Sequence, residues 1–178
     1  MRLLVLADID DLHWHHGKGE ADVLVACGDV LDQVVLEAAE AYCCSRVFAV
    51  KGNHDPETPF PRPVESLHLC VKEVEGVRFG GLSGGWKYKP KGTFLYSQEE
   101  VCEALSAFPP VAVMVSHTSP RGLHDRDDGV HVGFGGLGDY LLRTAPRFLV
   151  HGHQHINKES VLGETRVIGV LGYRVLEV

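Results

Sequence analysis

Five short apolar runs, rich in β-branched residues and each followed by polar residues, constrain the fold of this chain most strongly. These runs are Leu3–Ala7, Val23–Cys27, Val47–Val50, Val111–Ser116 and Phe148–His151. Because they are apolar at every position rather than at alternate ones, they are typical of strands buried on both faces in α/β proteins. Segments of helical pattern separate several of them. The sequence therefore predicts an α/β fold with one mixed sheet or two sheets.

Helix and hairpin patterns occupy the intervening segments. The predicted helices are Gln33–Tyr42 with Asp32 as its N-cap, a helix that follows the capping box of Ser97 and Glu100, and a helix around Leu137–Arg143. The predicted hairpins pair Leu67–Val74 with Val77–Leu82, and Ser160–Leu162 with Thr165–Val170. Neither a repeat nor a convincing linker interrupts the chain, so we expect a single domain over residues 1–178.

The composition favours a soluble globular protein and limits its partners. Of the 178 residues, 44% are hydrophobic and 23% are charged. No apolar run approaches the ~20 residues that span a membrane, and the N-terminal run is too short for a signal peptide. The formal charge of -7 argues against binding of long nucleic acid, which needs a basic surface. The five cysteines are scattered and form no C-x-x-C pair, so we expect reduced thiols in a cytoplasmic protein.

Acidic residues and histidines gather directly after the predicted strands. They form the groups Asp8 with Asp10, Gly28-Asp29, Gly52-Asn53-His54-Asp55, His117, and Gly152-His153-Gln154-His155. In open α/β sheets, ligands bind beyond the carboxyl ends of the strands, so these groups can converge on one crevice. Residues two apart in extended backbone point to the same side, as Asp8 and Asp10 would. Oxygen and imidazole donors without thiolate favour Mn²⁺, Fe or Zn²⁺.

In this order, the groups resemble the motifs of the calcineurin-like metallophosphoesterase superfamily, which run Asp-x-His, Gly-Asp, Gly-Asn-His-Asp/Glu, His and Gly-His-x-His. The segments Ser116–Gly122 and His131-Val132-Gly133 are similar to those of its small cyclic-nucleotide-phosphodiesterase-like branch. The resemblance spans Asp8 to His155 and implies a four-layer fold, a β-sandwich of two sheets flanked by helices. The Arg-Gly that serine/threonine phosphatases of the superfamily carry after Gly-Asp-x-x-Asp is absent here.

The resemblance implies a dinuclear metal centre and a hydrolytic function. One metal would be held by Asp8, Asp29, His155 and position 10, and the other by Asp29, Asn53, His117 and His153. A hydroxide bridging the metals would attack phosphorus, His54 would protonate the leaving oxygen, and Asp55 would hold the His54 ring. The implied reaction is the hydrolysis of small phosphate esters, with phosphodiesters favoured and a nucleotide as one candidate. Mn²⁺ is the favoured metal, with Fe, Zn²⁺ or Ni²⁺ as alternatives.

Position 10 departs from the family pattern, because Asp10 stands where the family has histidine. Two divalent cations with Asp8, Asp29 and one hydroxide leave one net positive charge, which Asp10 as a ligand would cancel. A more neutral, oxygen-rich cluster should favour a harder ion such as Mn²⁺. Our hypothesis is that Asp10 binds the first metal. Two alternatives are that it turns away and leaves this site weakly filled, or that it is an exposed loop carboxylate.

Two other interpretations of the whole chain remain open. A relative with a degraded metal site could act as a protein-interaction scaffold, although the intact His54 favours an enzyme. A nuclease is disfavoured by the acidic balance. In the loop after the first motif, His13, His15 and His16 could reach the metals or a phosphate, but the pattern favours solvated side chains. The oligomeric state cannot be predicted from these residues.

Overall fold

The computed structural model describes all 178 residues, which form thirteen strands and three helices. The strands are β1 (Arg2–Ala7), β2 (Val23–Ala26), β3 (Arg46–Ala49), β4 (Glu65–Ser66), β5 (Val71–Val74), β6 (Val77–Leu82), β7 (Gly85–Trp86), β8 (Leu95–Tyr96), β9 (Val113–Ser116), β10 (Phe148–His151), β11 (Lys158–Leu162), β12 (Thr165–Gly169) and β13 (Gly172–Glu177). The helices are α1 (Asp32–Ala41), α2 (Gln98–Ser106) and α3 (Gly135–Thr144).

Two large mixed sheets carry the fold. The first has the order β13-β1-β2-β3-β4, and the second has the order β11-β12-β10-β9-β6-β5. The central strands of each sheet are parallel to one another. The edge strands β13, β11 and β5 are antiparallel to their neighbours. Because the central strands are parallel, their carboxyl ends lie at one edge of each sheet.

Alternate residues of the central strands enter different apolar layers. Leu3 and Val5 of β1 pack with Val113 and Val115 of β9 in a cluster of 17 buried residues between the two sheets. The intervening Leu4 instead contacts the layer beneath α1. On the far side of the second sheet, a third layer packs against α2 and α3. The predicted arrangement of two sheets flanked by helices is therefore confirmed, and burial of both strand faces explains the continuous apolar runs.

The predicted helices are present, but one cap is wrong. Ser97 and Glu100 form the expected capping box, with Ser97 Oγ accepting from the Glu100 amide at 3.2 Å. Asp32, in contrast, is the first residue of α1, and the N-cap is Leu31, which makes no side-chain capping bond. The Asp32 carboxylate lies 3.8 Å from Nζ of the buried Lys51. This ion pair with a neighbouring loop accounts for an acidic residue in the first turn.

The third helix begins earlier than its apolar pattern indicated. It includes Gly135 and Gly136. Because glycine adds nothing to an apolar pattern, the sequence shows no sign of this first turn. The Gly135 amide donates to Gln98 Oε1 at 2.9 Å, so α2 supplies the missing cap. Both hairpins are present, as β5–β6 and β11–β12, although β5 begins at Val71 rather than at Leu67. The longest helices have ten residues, so none of the three could cross a bilayer.

Candidate metal centre

The polar groups after β1, β2, β3, β9 and β10 lie together at the carboxyl ends of these strands. The backbone at four of the predicted ligands adopts the left-handed conformation, with φ of 52° at Asp8, 53° at Asp29, 63° at His153 and 51° at His155. This conformation costs a residue with a side chain about 1–2 kcal/mol. Strain of this kind persists only where the surrounding structure holds it, and it is common at functional sites.

Two glycines of the predicted motifs allow the carboxylates to approach the backbone. A Cβ on Gly52 would lie 2.0 Å from Asp29 Oδ1, and a Cβ on Gly152 would lie 2.6 Å from Asp8 Oδ2. Any larger residue would displace a carboxylate. The motif glycines are therefore a steric requirement for bringing Asp8 and Asp29 to the centre.

Asp8, Asp29 and His117 form the core of the centre, with one potential ligand atom from each lying within 4.8 Å of the others. His117 Nδ1 lies 2.9 Å from the carbonyl oxygen of Cys27. Because a carbonyl can only accept, Nδ1 carries the proton and Nε2 presents a lone pair. That lone pair faces Asp29 Oδ2 at 3.4 Å and Asn53 Oδ1 at 2.9 Å. Three atoms that can each offer a lone pair thus converge at this point.

The charges at this centre call for a cation. Burial raises the pKa of Asp8 from 3.8 to about 8, and it also raises the pKa of Asp29. Burial lowers the pKa of His117 to about 4, so the ring stays neutral rather than balancing these carboxylates. Neither carboxylate forms an ion pair with a lysine or arginine. The buried Asp8 Oδ1 has no hydrogen-bond partner. This donor set fits divalent cations, which would neutralise the carboxylates and fill the gap between acceptors.

The remaining predicted ligands surround this core at different depths. The His153 amide donates to Asp8 Oδ2 at 2.7 Å, and the His153 ring centroid lies 4.8 Å from that of His117. His155 Nε2 lies 3.7 Å from Asp8 Oδ1, with 57% of its side chain exposed. Nδ2 of Asn53 is buried and has no hydrogen-bond partner, so its N–H groups are free to donate to a bound anion, whereas Oδ1 is the atom that could bind a metal.

The two predicted catalytic residues, His54 and Asp55, make different contacts. The His54 side chain lines an open cleft of about 500 Å³, and its amide donates to Asp29 Oδ1 at 2.9 Å. Asp55 Oδ2 accepts from the amides of Gly52, at 2.7 Å, and Asp29, at 3.0 Å. Neither bond comes from the His54 ring. Asp55 thus ties the loop after β2 to the loop after β3, and its role as the ring's partner stays a prediction.

Asp10 lies on the wall of the same cleft and is exposed. Its carboxylate is not one of the three groups that lie within 4.8 Å of one another. His131, which was not among the predicted site residues, lies beside the centre, with its ring 4.9 Å from that of His153. Its Nδ1 donates to Asp128 Oδ2 at 2.6 Å. The His131-Val132-Gly133 segment was the signal that could have indicated it.

Comparison with solved structures shows the same fold in several proteins. The chain is similar to TT1561 of Thermus thermophilus (13% identity, TM-score 0.64) and to the phosphopantetheinyl hydrolase PptH of Mycobacterium tuberculosis (17% identity, TM-score 0.62), with 94% of this chain and 88% of each structure covered. It is also similar to Vps29 of Entamoeba histolytica complexed with zinc (15% identity, TM-score 0.51), with 100% of this chain and 86% of that one covered. At these identities, the likeness shows the fold alone.

The sequence was also compared with curated proteins and with profiles of protein families. Among curated proteins there is no significant match. The profile of the calcineurin-like phosphoesterases matches residues 4–157, which include every predicted metal ligand and both predicted catalytic residues. This match covers most of the chain. The chain therefore belongs to the calcineurin-like phosphoesterase family.

Proposed function

We propose that this protein is a metal-dependent phosphoesterase that hydrolyses small phosphodiesters in preference to monoesters. The observation that carries the proposal is the convergence of Asp8, Asp29 and His117 within 4.8 Å, with buried carboxylates that no lysine or arginine neutralises. Substrates would enter through the open cleft beside these residues. The five free cysteines support a cytoplasmic location as part of this proposal.

Two divalent ions, Mn²⁺ by preference, are proposed to bind at this centre. One would be held by Asp8, Asp29, Asp10 and His155, and the other by Asp29, Asn53, His117 and His153. Bound there, they would lower the pKa of a coordinated water and neutralise charge on the phosphoryl oxygens. Asp29 suits the shared position because the His54 amide fixes one of its oxygens while the other faces His117 Nε2.

The protein's own groups would handle orientation and protons. Cys27 O holds His117 in the tautomer that offers Nε2, and Asp8 Oδ2 holds the amide of His153. His54 is exposed on the cleft wall, where it can reach a leaving oxygen and donate a proton to it. A proton donor in such a role typically contributes about 10²–10⁴-fold to the rate.

The test compares two diesters with Mn²⁺ added, one with a nitrophenyl leaving group and one with an alkyl leaving group. An alkoxide needs a proton to leave and a nitrophenolate does not, so His54→Ala should slow the alkyl diester far more than the nitrophenyl diester. Asp29→Asn should abolish both reactions. Equal slowing of both diesters would remove His54 as the acid, and activity that survives both metal removal and Asp29→Asn would refute the metal-dependent mechanism.

A catalytically weak interaction scaffold is the second candidate. The observation in its favour is the departure at position 10, where an exposed aspartate stands on the cleft wall instead of the histidine of the family. A protein that binds Mn²⁺ but cleaves no member of a panel of diesters and monoesters would support this candidate over the enzyme.

A further inference from the structure

The loop between β1 and β2 carries a second group of metal-type side chains, outside the cleft. Asp11, His15 and His16 each place one potential ligand atom within 4.8 Å of the others. None of the three lines the cleft beside Asp8 and Asp29. We propose that Asp11, His15 and His16 form a separate Zn²⁺ site, independent of the centre that would act on phosphate esters.

Both imidazoles approach the same carboxylate oxygen. His16 Nε2 lies 2.7 Å from Asp11 Oδ2, and His15 Nε2 lies 3.7 Å from that atom. Zinc bonds to nitrogen and carboxylate oxygen are about 2.0–2.2 Å long, so neighbouring ligands of a tetrahedral ion stand roughly 3.4 Å apart. The two observed distances lie on either side of this spacing. His16 Nε2 donates its proton to Asp11 Oδ2, so a bound ion would replace that proton and small side-chain rotations would make room for it.

The tautomer of His15 also suits a metal. Its Nδ1 lies 3.1 Å from the carbonyl oxygen of His13, which can only accept. Nδ1 therefore carries the proton, and Nε2 presents its lone pair towards Asp11. A backbone carbonyl that fixes the far nitrogen in this way is the usual outer partner of a metal-binding histidine.

The loop is held in place mainly by contacts of Trp14. The Trp14 amide donates to Glu37 Oε2 of α1 at 2.7 Å, and Trp14 Nε1 donates to the Gly17 carbonyl at 2.6 Å. The Trp14 ring packs edge-on against Tyr173 of β13 and against His16, with centroid distances of 5.3 Å and 5.0 Å. These contacts orient His16 before any ion binds, which reduces the entropy lost on binding.

The donor chemistry of the loop suits zinc. Two imidazoles and one carboxylate are a common Zn²⁺ donor set. Three protein ligands leave one position for water, as in open zinc sites. The His15 side chain is 63% exposed, so an ion can enter from solvent. Because Asp11 follows Asp10 directly, a bound Zn²⁺ would fix the segment that forms the cleft wall.

The experiment counts zinc in the full-length protein. Chelator-stripped protein is saturated with Mn²⁺ and dialysed against Zn²⁺, and bound zinc per chain is measured by elemental analysis for the parent, His15→Ala, His16→Ala and His13→Ala. His13→Ala is the matched control, because it removes a histidine of the same loop and keeps the carbonyl that orients His15. Displacement of Mn²⁺ from the cleft would add the same zinc to every protein, so the differences between proteins report the loop.

We expect His15→Ala and His16→Ala each to bind one zinc fewer than the parent, and His13→Ala to match the parent. In a titration, loss of a ligand should weaken loop binding by more than the about 10–100-fold that loss of an outer partner costs. Equal zinc in all four proteins would overturn the proposal. Mn²⁺-dependent esterase activity, measured separately on the same proteins, distinguishes a failure of this site from a failure of the proposed function.

Discussion

Replacement of Asp55 by alanine should destabilise the protein although the residue makes no contact in the apolar core. One carboxylate oxygen, Oδ2, accepts hydrogen bonds from the amides of Gly52 and Asp29, at 2.7 Å and 3.0 Å. Asp55 is 9% exposed, so water cannot fully replace these bonds once the carboxylate is gone. The two amides belong to the loops that carry Asn53 and Asp29. The variant should therefore lose both stability and metal affinity.

The magnitude follows from these two bonds. Hydrogen bonds to a charged group contribute about 1.5–3 kcal/mol each, which gives about 3–6 kcal/mol for the pair. Burial raises the pKa of Asp55, which means that keeping this carboxylate ionised is costly to the fold, and its removal offsets part of the loss. We expect the free energy of unfolding to fall by about 2–4 kcal/mol for Asp55→Ala. Asp55→Asn retains an acceptor oxygen and should lose roughly half as much.

The assay is urea unfolding of metal-stripped protein, followed by calorimetric titration with Mn²⁺. Asp127→Ala is the matched control, because Asp127 is an exposed loop residue far along the chain from these amides. If Asp55→Ala does not fold, Asp55→Asn carries the comparison. A free energy of unfolding for Asp55→Ala within about 0.5 kcal/mol of the control, the usual range for surface changes, would refute the reasoning.

Three further predictions concern the metal centre. With the pKa of Asp8 raised from 3.8 to about 8, the metal-free native state binds a proton that the unfolded chain has released, so its stability should fall as the pH rises towards 8. Urea unfolding should show that the free energy of unfolding falls less between pH 6.5 and pH 8 for Asp8→Asn, or for the parent with saturating Mn²⁺, than for the metal-free parent. Gly152→Ala, whose Cβ would lie 2.6 Å from Asp8 Oδ2, should abolish metal binding in calorimetry, whereas Gly138→Ala, whose nearest neighbour lies 3.8 Å away, should bind normally. Asp10→His should shift the metal preference of esterase activity away from Mn²⁺, and an unchanged preference and pH profile would exclude Asp10 as a ligand.

The strand ends illustrate how far local sequence reasoning reaches. The run Leu3–Ala7 predicted β1 within one residue, because an apolar, β-branched segment bounded by polar residues has few other conformations. The same reasoning placed Asp8 directly after that strand. It failed for Asp32, where the sequence pattern of an N-cap was present but the side chain instead forms an ion pair with Lys51, a residue of another loop. Long-range partners override local preferences in this way.

His131 and Asp55 show the same limit within the site. The sequence indicated that both were of interest, yet it could not show that the His131 ring packs beside His153 or that Asp55 bridges two backbone amides. Such contacts depend on the separation and orientation of loops that are far apart in the chain. They follow from the packing of the two sheets rather than from any local pattern.

The amino-acid sequence by itself determined the five central strands, the positions of the motif glycines and the chemical types of the candidate ligands, because these depend on short-range patterns of polarity and backbone freedom. It did not predict the edge strand β13, whose only strand neighbour is the distant β1. Only the tertiary structure decided which atoms face one another. His117 presents Nε2 because its Nδ1 reaches the carbonyl of Cys27, 90 residues away. That pairing joins β9 of one sheet to the end of β2 of the other. The physical reason is that the protonated nitrogen of a histidine ring is fixed by its hydrogen-bond partner. For His117, only the packing of the two sheets brings that partner into place.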